Sequence, residues 1–406
     1  MSEEEPHREV DVLSEAFFRD RNVAENAAAA HQKAGAPWRR MLPRVAIVLA
    51  ALALIDVAVR CLVPPEALLD FTHHEEAVYG VKLAQFKSAP TPDVVFLGSS
   101  RVRDGMVPEV FSGFLSKEWK RPARVYNLGL INAKAEEYLT IVRSHLPDPG
   151  PRLVVLGITG SEVVNVHDFQ YASRFLWTLP DALDWLRRVP ATHFDVAHVE
   201  HFLENELCRG WYVFGHRDAL REMLLDTLVS RFGVPLPVAA GGTDNMGQNK
   251  KLRDYVLAAD GYQAPPLTPQ GSLARRIVEA PQLLKIPERE LEASPEMLEG
   301  ARFTELREIA ALLDARGSRL ALVEMPVSPY LQEKNPVLHG QVFRDRMEQL
   351  AQELGCVWVP MPPEETQLSN RTYGDVNHLT EVGAKRYTRL LFERLSERGF
   401  FKEPQP

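Results

Sequence analysis

Two short segments, far apart in the chain, contain residue types that can perform nucleophilic catalysis together. The first is Gly98-Ser99-Ser100-Arg101, directly after a short apolar run, and the second is Asp375-Val376-Asn377-His378, before an amphipathic stretch. A serine at a strand-to-helix turn exposes its hydroxyl, and backbone N–H groups nearby can stabilise an oxyanion. Asp375 and His378 are three residues apart, so the carboxylate can accept from Nδ1 and leave Nε2 free as a base. Each segment alone is weak evidence, because serines are common in turns and aspartates at helix N-termini.

Five apolar runs bounded by Gly or Pro predict strands, and helical patterns lie between them. The predicted strands are Asp93–Leu97, Ala123–Leu128, Arg152–Gly157, Arg319–Glu324 and Cys356–Pro360. The predicted helices are Glu136–His145, Phe303–Leu313, Val342–Leu354 and Glu381–Arg398. This alternation predicts an α/β fold with a parallel sheet covered on both faces. Ser100 then lies near the carboxyl end of the first strand, where open α/β sheets bind their ligands.

The N-terminal part of the chain predicts a membrane anchor. A polar tail, 1–42, precedes an anchor segment, 43–64, in which Val45–Val63 is apolar except for Asp56 and Arg60. Nineteen residues come close to the ~20 that a helix needs to cross a bilayer. Asp56 and Arg60 are four apart and can pair on one helix face. The alternative is a buried helix of a soluble domain.

Arginines flank only the N-terminal side of the apolar run, at positions 39, 40 and 44. By the positive-inside rule, this predicts a single-pass protein with a cytoplasmic N-terminus and a periplasmic or extracellular body. A proline-containing connector, 65–90, leads to that body, which spans 91–400.

The body is interrupted by an insertion, 161–300, which predicts either a substrate-shaping lid or a structural excursion with its own small core. It contains Trp177, Trp185 and Trp211, helical patterns near Pro180–Arg188 and Asp218–Phe232, and a Gly241-Gly242 loop. We expect these tryptophans to pack in a core rather than to stack against a sugar. His193, His198 and His201 with Glu200 match no zinc spacing, so no metal site is predicted. His167-Asp168 is either a pocket-lining pair or an ordinary loop.

Composition excludes several classes of protein. Lysine and arginine total 47 and aspartate and glutamate 55, which gives a net charge of −8 and no overall basic field for nucleic acid. Three scattered cysteines cannot form a disulfide framework. Phosphate-binding glycine loops are missing from the sequence, and no cofactor is predicted.

The order of these segments resembles the SGNH/GDSL hydrolase family, over about 91–160 and 301–398. In that family a Gly-Asp-Ser block carries the nucleophile and a final Asp-x-x-His block carries the acid and base. The resemblance implies a flavodoxin-like three-layer α/β/α sandwich with a five-stranded parallel sheet. It implies Ser100 as nucleophile, His378 as base and Asp375 as its partner. Ser99 stands where the family has Asp.

The same resemblance assigns the substrate-binding blocks. Asn127-Leu128-Gly129 begins the second block, and Asn132 occupies the position of the family's oxyanion-hole glycine. Thr159 stands where the third block has Asn, which removes one expected oxyanion donor. Gly129 and Arg101 join Asn132 and Thr159 as predicted oxyanion or substrate-binding residues. Arg101 and Arg103 either face an anionic substrate or are structural.

The segments Phe96-Leu97-Gly98-Ser99-Ser100-Arg101 and Met325-Pro326-Val327-Ser328-Pro329, with the anchor, resemble a membrane-bound branch of the family. That branch includes D-alanyl transfer and polysaccharide O-acetylation proteins. It implies a serine esterase or O-acyltransferase that acts on an acylated cell-envelope glycan or lipid, with a membrane-bound O-acyltransferase as partner. The missing Asn motivates an alternative, a catalytically inactive scaffold or binding protein of envelope polysaccharide assembly.

Overall fold

A computed structural model describes residues 42–63, 77–164, 176–188, 196–232, 259–262, 273–279, 284, 294–299 and 302–401. The chain divides into two compact units, residues 1–65 with Trp211–Phe214, and residues 66–210 with 215–406. Several predicted features lie outside the described residues, namely the tail before Leu42, the first part of the connector, His167-Asp168, His193 and the Gly241-Gly242 loop.

The described part of the first unit consists of one long helix, α1 (Leu42–Leu62), and the segment Trp211–Phe214. With 21 residues and a mean hydropathy of 2.5, α1 is long and apolar enough to cross a membrane. Its apolar side chains, such as Ile47 and Leu54, are exposed. The predicted pair is present, because Arg60 Nη2 lies 3.2 Å from Asp56 Oδ2.

The remaining elements follow in chain order. The strands are β1 (Val94–Gly98), β2 (Val125–Gly129), β3 (Leu153–Ile158), β4 (Arg319–Glu324) and β5 (Val357–Val359). The helices before β4 are α2 (Ala77–Ser88), α3 (Ser100–Gly105), α4 (Pro108–Trp119), α5 (Ala135–Ser144), α6 (Gly160–Val164), α7 (Leu179–Arg188), α8 (Val196–Gly210), α9 (Tyr212–Gly215), α10 (Arg217–Phe232), α11 (Leu273–Glu279) and α12 (Arg302–Ala315). Those after β4 are α13 (Pro329–Lys334), α14 (Pro336–His339), α15 (Gln341–Leu354), α16 (Pro363–Thr366) and α17 (Glu381–Glu397).

The strands form one five-stranded sheet in the order β2-β1-β3-β4-β5, and every neighbouring pair is parallel. Each predicted strand and core helix agrees with the observed element to within two residues, which is the usual spread at element ends. The prediction of an α/β protein with a parallel five-stranded sheet is therefore confirmed.

Successive residues of the strands point to opposite faces of the sheet, as the period of two requires. Val95 and Leu97 of β1 pack with α5, α12 and α15 in one buried cluster. Val94 and Phe96 pack with α4 and α17 in the other. Helices therefore cover both faces, which explains why the strands read as continuous apolar runs rather than alternating ones.

Strands β2 and β1 end in Gly129 and Gly98, and both lie in one row with Gly157, the residue before the last of β3. A Cβ on any of them would strike α3, at 2.2 Å from Arg103 N for Gly129 and within 2.4 Å of Val102 Cγ2 for the other two. The row of glycines lets the short helix α3 lie directly against the carboxyl edge of the sheet. This close approach places Ser100, the first residue of α3, at that edge.

The described part of the insertion is mostly helical and has a small core of its own. Trp177, Ala182 and Phe202 form a buried cluster against which Trp185 packs. His198 stacks on Trp185 with ring centroids 5.0 Å apart. The tryptophans Trp177 and Trp185 are therefore core residues of the insertion, as the sequence favoured.

Candidate active site

The structure brings together three side chains that are up to 278 positions apart in the chain. Ser100 Oγ lies 2.8 Å from His378 Nε2. His378 Nδ1 lies 2.8 Å from Asp375 Oδ2 and 3.0 Å from Asp375 Oδ1. These distances allow a proton to pass from the serine to the imidazole while the carboxylate holds the other ring nitrogen.

Asp375 is held by its own loop as well as by His378. Its Oδ1 accepts hydrogen bonds of 2.8 Å from the backbone N–H groups of Asn377 and His378. Burial raises the pKa of the Asp375 carboxyl, but the hydrogen bond and charge of His378 and the two backbone donors outweigh burial and lower the pKa from 3.8 to about 2. The carboxylate is thus charged at neutral pH and its orientation is set by the backbone.

The loop of Asp375 and His378 is closed by a short hairpin. Tyr373 and Leu379 form an antiparallel bridge, and Gly374 N donates to His378 O at 2.9 Å. The hairpin leads directly into α17, whose N-cap is Thr380. The imidazole is therefore carried by a closed turn directly before a long helix that is buried along one face.

One helix of the insertion braces this loop from outside. Leu273, the first residue of α11, is fully buried, and its N–H donates to Tyr373 O at 2.8 Å. Arg276 Nη1 lies 3.4 Å from Gly374 O. This part of the insertion supports the loop that carries the His-Asp pair, a contact that the sequence did not predict.

A buried arginine, Arg101, joins the nucleophile turn to the histidine loop. Arg101 Nη1 lies 3.0 Å from Glu162 Oε1, and Arg101 Nη2 donates to Asn377 Oδ1 at 2.7 Å. Arg101 is 9% exposed and Glu162 is 1% exposed. Arg101 follows the candidate nucleophile and Asn377 precedes the candidate base, so this one guanidinium connects the segments of both. The structural alternative for Arg101 is the one its surroundings favour.

Ser99 and Thr159 belong to the same buried network. Ser99 Oγ donates to Glu162 Oε1, and Thr159 N donates to Glu162 Oε2 at 3.1 Å. The Thr159 hydroxyl accepts from Arg101 Nη1 at 3.2 Å and lies 3.1 Å from Ser161 Oγ. Thr159 is 1% exposed, and its hydroxyl is part of this buried network.

Both backbone polar groups of Gly129 are also engaged. Its N–H donates to Asn127 Oδ1 at 2.8 Å, and its carbonyl accepts from Lys82 Nζ at 2.7 Å. Burial and then the nearby Arg103 charge lower the pKa of Lys82 to about 7. The Asn127 amide donates in turn to the carbonyls of Val102 in α3 and of Met106 directly after it. The role of Gly129 here is to allow close packing against α3.

Asn132 retains the property that an oxyanion donor needs. It is exposed and has a φ of +53°, in the left-handed region that favours glycine and that asparagine tolerates best among other residues. This conformation explains why Asn can stand at a glycine position. Across the described part of the chain, neither Asn132 N–H nor Ser100 N–H has a hydrogen-bond acceptor.

Sequence reasoning missed Glu162 and Asn377, and it left both roles of Arg101 open. Arg103 forms an ion pair with its neighbour, with Nη2 2.9 Å from Asp104 Oδ2, and both side chains are buried. Glu162 lies four residues after the end of β3, and a charged residue so close to a buried strand was the available sign of a buried carboxylate. Such a carboxylate needs a cation, and a short-range pattern does not tell which one.

No family model matches this chain, and no curated protein has a similar sequence. The geometry of the site therefore carries the functional argument.

Proposed function

We propose that the chain is a serine acyl-ester hydrolase or O-acyltransferase of the SGNH type. One observation carries the proposal, the connected chain of hydrogen bonds from Ser100 Oγ through His378 to Asp375. Serine hydroxyls are weak nucleophiles unless a base stands within hydrogen-bond reach and a third group orients that base. All three roles are filled here by side chains at the carboxyl edge of a parallel sheet, where such sites occur.

In the proposed reaction, Ser100 Oγ attacks the carbonyl carbon of an acyl ester and its proton passes to His378 Nε2. The tetrahedral oxyanion is stabilised by the free N–H groups of Ser100 and Asn132. His378 then returns the proton to the leaving alcohol as the ester bond breaks, which leaves an acyl-serine. A water molecule or a sugar hydroxyl attacks the acyl-serine, gives its proton to His378, and releases Ser100.

The fold supports the same assignment. Strand order β2-β1-β3-β4-β5 with helices on both faces is the flavodoxin-like arrangement that the SGNH resemblance implies. Two of the three departures from the family pattern, Ser99 and Thr159, meet at one carboxylate, Glu162. Glu162 thus supplies, from the turn after β3, a negative charge that the family carries in its first block.

The membrane-anchored setting belongs to the same proposal. Helix α1 crosses the membrane, the arginines before it keep the N-terminus cytoplasmic, and the second unit works in the periplasm or outside the cell. The substrate is then an acylated glycan or lipid of the cell envelope, and a membrane-bound O-acyltransferase is the partner.

The test is covalent labelling by a fluorophosphonate probe, which reacts only with an activated serine. Ser100→Ala should abolish labelling and p-nitrophenyl acetate hydrolysis. The matched control is Ser112→Ala, which removes a serine of α4 whose hydroxyl donates to the Glu109 carbonyl one turn earlier. Undiminished labelling of Ser100→Ala would refute the proposal.

The engaged Thr159 hydroxyl favours one competing function, a scaffold of SGNH fold without catalysis. A Ser100→Ala/His378→Ala double variant separates the two. The scaffold predicts that this variant restores envelope modification in a deletion strain as well as wild type does. The enzyme predicts that it does not.

A further inference from the structure

The segment Trp211–Phe214 packs on the last two turns of α1, at the charged pair that interrupts the apolar run. Val213 N donates to Asp56 Oδ1 at 2.8 Å. The Tyr212 hydroxyl donates to the Val63 carbonyl at 2.7 Å, and the Arg60 guanidinium carbon lies 5.6 Å from the Tyr212 ring centroid. Among the exposed side chains of α1, Asp56 stands out because it is only 6% exposed.

The length of α1 sets the depth of this contact in a membrane. Twenty-one residues span about 31 Å, which matches the ~30 Å hydrocarbon thickness of a bilayer. A span that ended before Asp56 would have 14 residues and reach only about 21 Å. Asp56–Leu62 must therefore contribute to the span, and Asp56 lies about 9 Å of helix from its end.

An aspartate at that depth requires internal partners. An isolated carboxylate in the bilayer costs several kcal/mol, and intramembrane acidic residues pair with other groups. Arg60 supplies one partner and can extend its head towards the interface, while Val213 N–H supplies a second. The Tyr212 hydroxyl donates to the Val63 carbonyl. Carbonyls at the C-terminal end of a helix receive no hydrogen bond from the helix itself, so Tyr212 supplies the missing donor.

The composition of the segment fits the same location. Trp, Tyr and Phe stand within four residues, and Trp and Tyr are enriched where acyl chains meet headgroups. A short segment is tolerated at membrane depth where its backbone polar groups are bonded within the protein, as Val213 N–H is to Asp56.

We infer that Trp211–Phe214 is a second membrane-contacting element, seated in the headgroup–acyl boundary of the leaflet in which α1 ends. The chain thus returns to the bilayer within the insertion, 148 positions after Val63, by docking on Asp56 and Arg60. This inference rests on the proposed membrane span of α1, and it is independent of the Ser100 chemistry.

The experiment uses the full chain in phosphatidylcholine vesicles whose acyl chains carry bromine either near the headgroup or near the methyl end. Bromine quenches tryptophan only on close approach. Trp38, which precedes α1, is first replaced in a Trp38→Phe background. Shallow bromines should quench part of the emission of this protein, and adding Trp211→Phe should remove that quenched component. Equal quenching with and without Trp211 would overturn the inference.

Asp56 provides the matched pair of variants. Asp56→Leu deletes the acceptor of Val213 N–H and lengthens the apolar run, whereas Asp56→Asn keeps an acceptor oxygen. We expect loss of the Trp211 quenching in Asp56→Leu and its retention in Asp56→Asn, while both proteins resist extraction by alkaline carbonate. Wild-type protein that resists carbonate but shows no Trp211 quenching refutes only this inference. Release of wild-type protein by carbonate refutes the anchor and the inference together, and fluorophosphonate labelling reports the catalytic proposal separately.

Discussion

Replacement of Asp375 by Asn tests how the site sets the protonation of His378. Asp375 Oδ1 accepts two backbone N–H groups, so the oxygen of an Asn side chain must take that position. Its NH₂ group then occupies the site of Oδ2, 2.8 Å from His378 Nδ1. The amide donates to Nδ1 and the ring proton moves to Nε2, which can no longer accept the proton of Ser100.

The size of the effect has two parts. Losing the charge-assisted hydrogen bond to Nδ1–H costs about 1.5–3 kcal/mol. The imidazolium formed during attack also loses a carboxylate 2.8 Å away, which is worth between about 1.5 kcal/mol in bulk water and about 6 kcal/mol at an effective dielectric constant near 20. Since Asp375 is 38% exposed, the lower half of that range applies. The two parts add to about 3–7 kcal/mol, which predicts a fall in kcat of about 10²–10⁵-fold.

The assay is p-nitrophenyl acetate hydrolysis together with the second-order rate of fluorophosphonate labelling, on variants whose circular dichroism matches wild type. Asp375→Ala serves as the comparison, because it removes the carboxylate without presenting an NH₂ group to Nδ1. We expect Asp375→Asn to be at least as slow as Asp375→Ala. A kcat within tenfold of wild type would refute the reasoning, since it would mean that another group sets the tautomer.

Three further outcomes follow from the same structure. Asn377→Ala removes the hydrogen bond from Arg101 and should lower kcat about tenfold with little change in KM, whereas a rise in KM alone would support substrate binding by Arg101. Gly129→Ala places a Cβ 2.2 Å from Arg103 N and should lower the free energy of unfolding by about 3 kcal/mol, measured by urea denaturation; an unchanged midpoint would contradict the close packing of α3. The pKa of Asp375 is lower in the folded than in the unfolded chain, so its contribution, about 1 kcal/mol after allowance for exposure, is present above about pH 4 and lost as the pH falls towards 2. Wild type should lose this increment relative to Asp375→Asn in urea titrations between pH 6 and pH 2, and parallel curves would exclude it.

The sequence predicts the secondary-structure elements of this protein better than it predicts the contacts between them. The strands could be located to within two residues because both faces of a parallel sheet are buried, which makes each strand a continuous apolar run. The same patterns could not show that Gly98, Gly129 and Gly157 lie in one row, since register depends on how separate strands pair. Position alone also could not show that the Thr159 hydroxyl accepts a hydrogen bond from Arg101.

The sequence by itself determined the alternation of strands and helices and the apolar span of α1 with its Asp56–Arg60 pair. It also identified Ser100, Asp375 and His378 as the candidate catalytic residues. Each of these depends on periodicity or spacing within a few residues, which local sequence records. Only the tertiary structure decided that Ser100 meets His378 and that Arg101 joins Glu162 to Asn377. The same holds for the docking of Trp211–Phe214 on α1. Such contacts join residues far apart in the chain, and the packing of buried charges and backbone groups selects the partner.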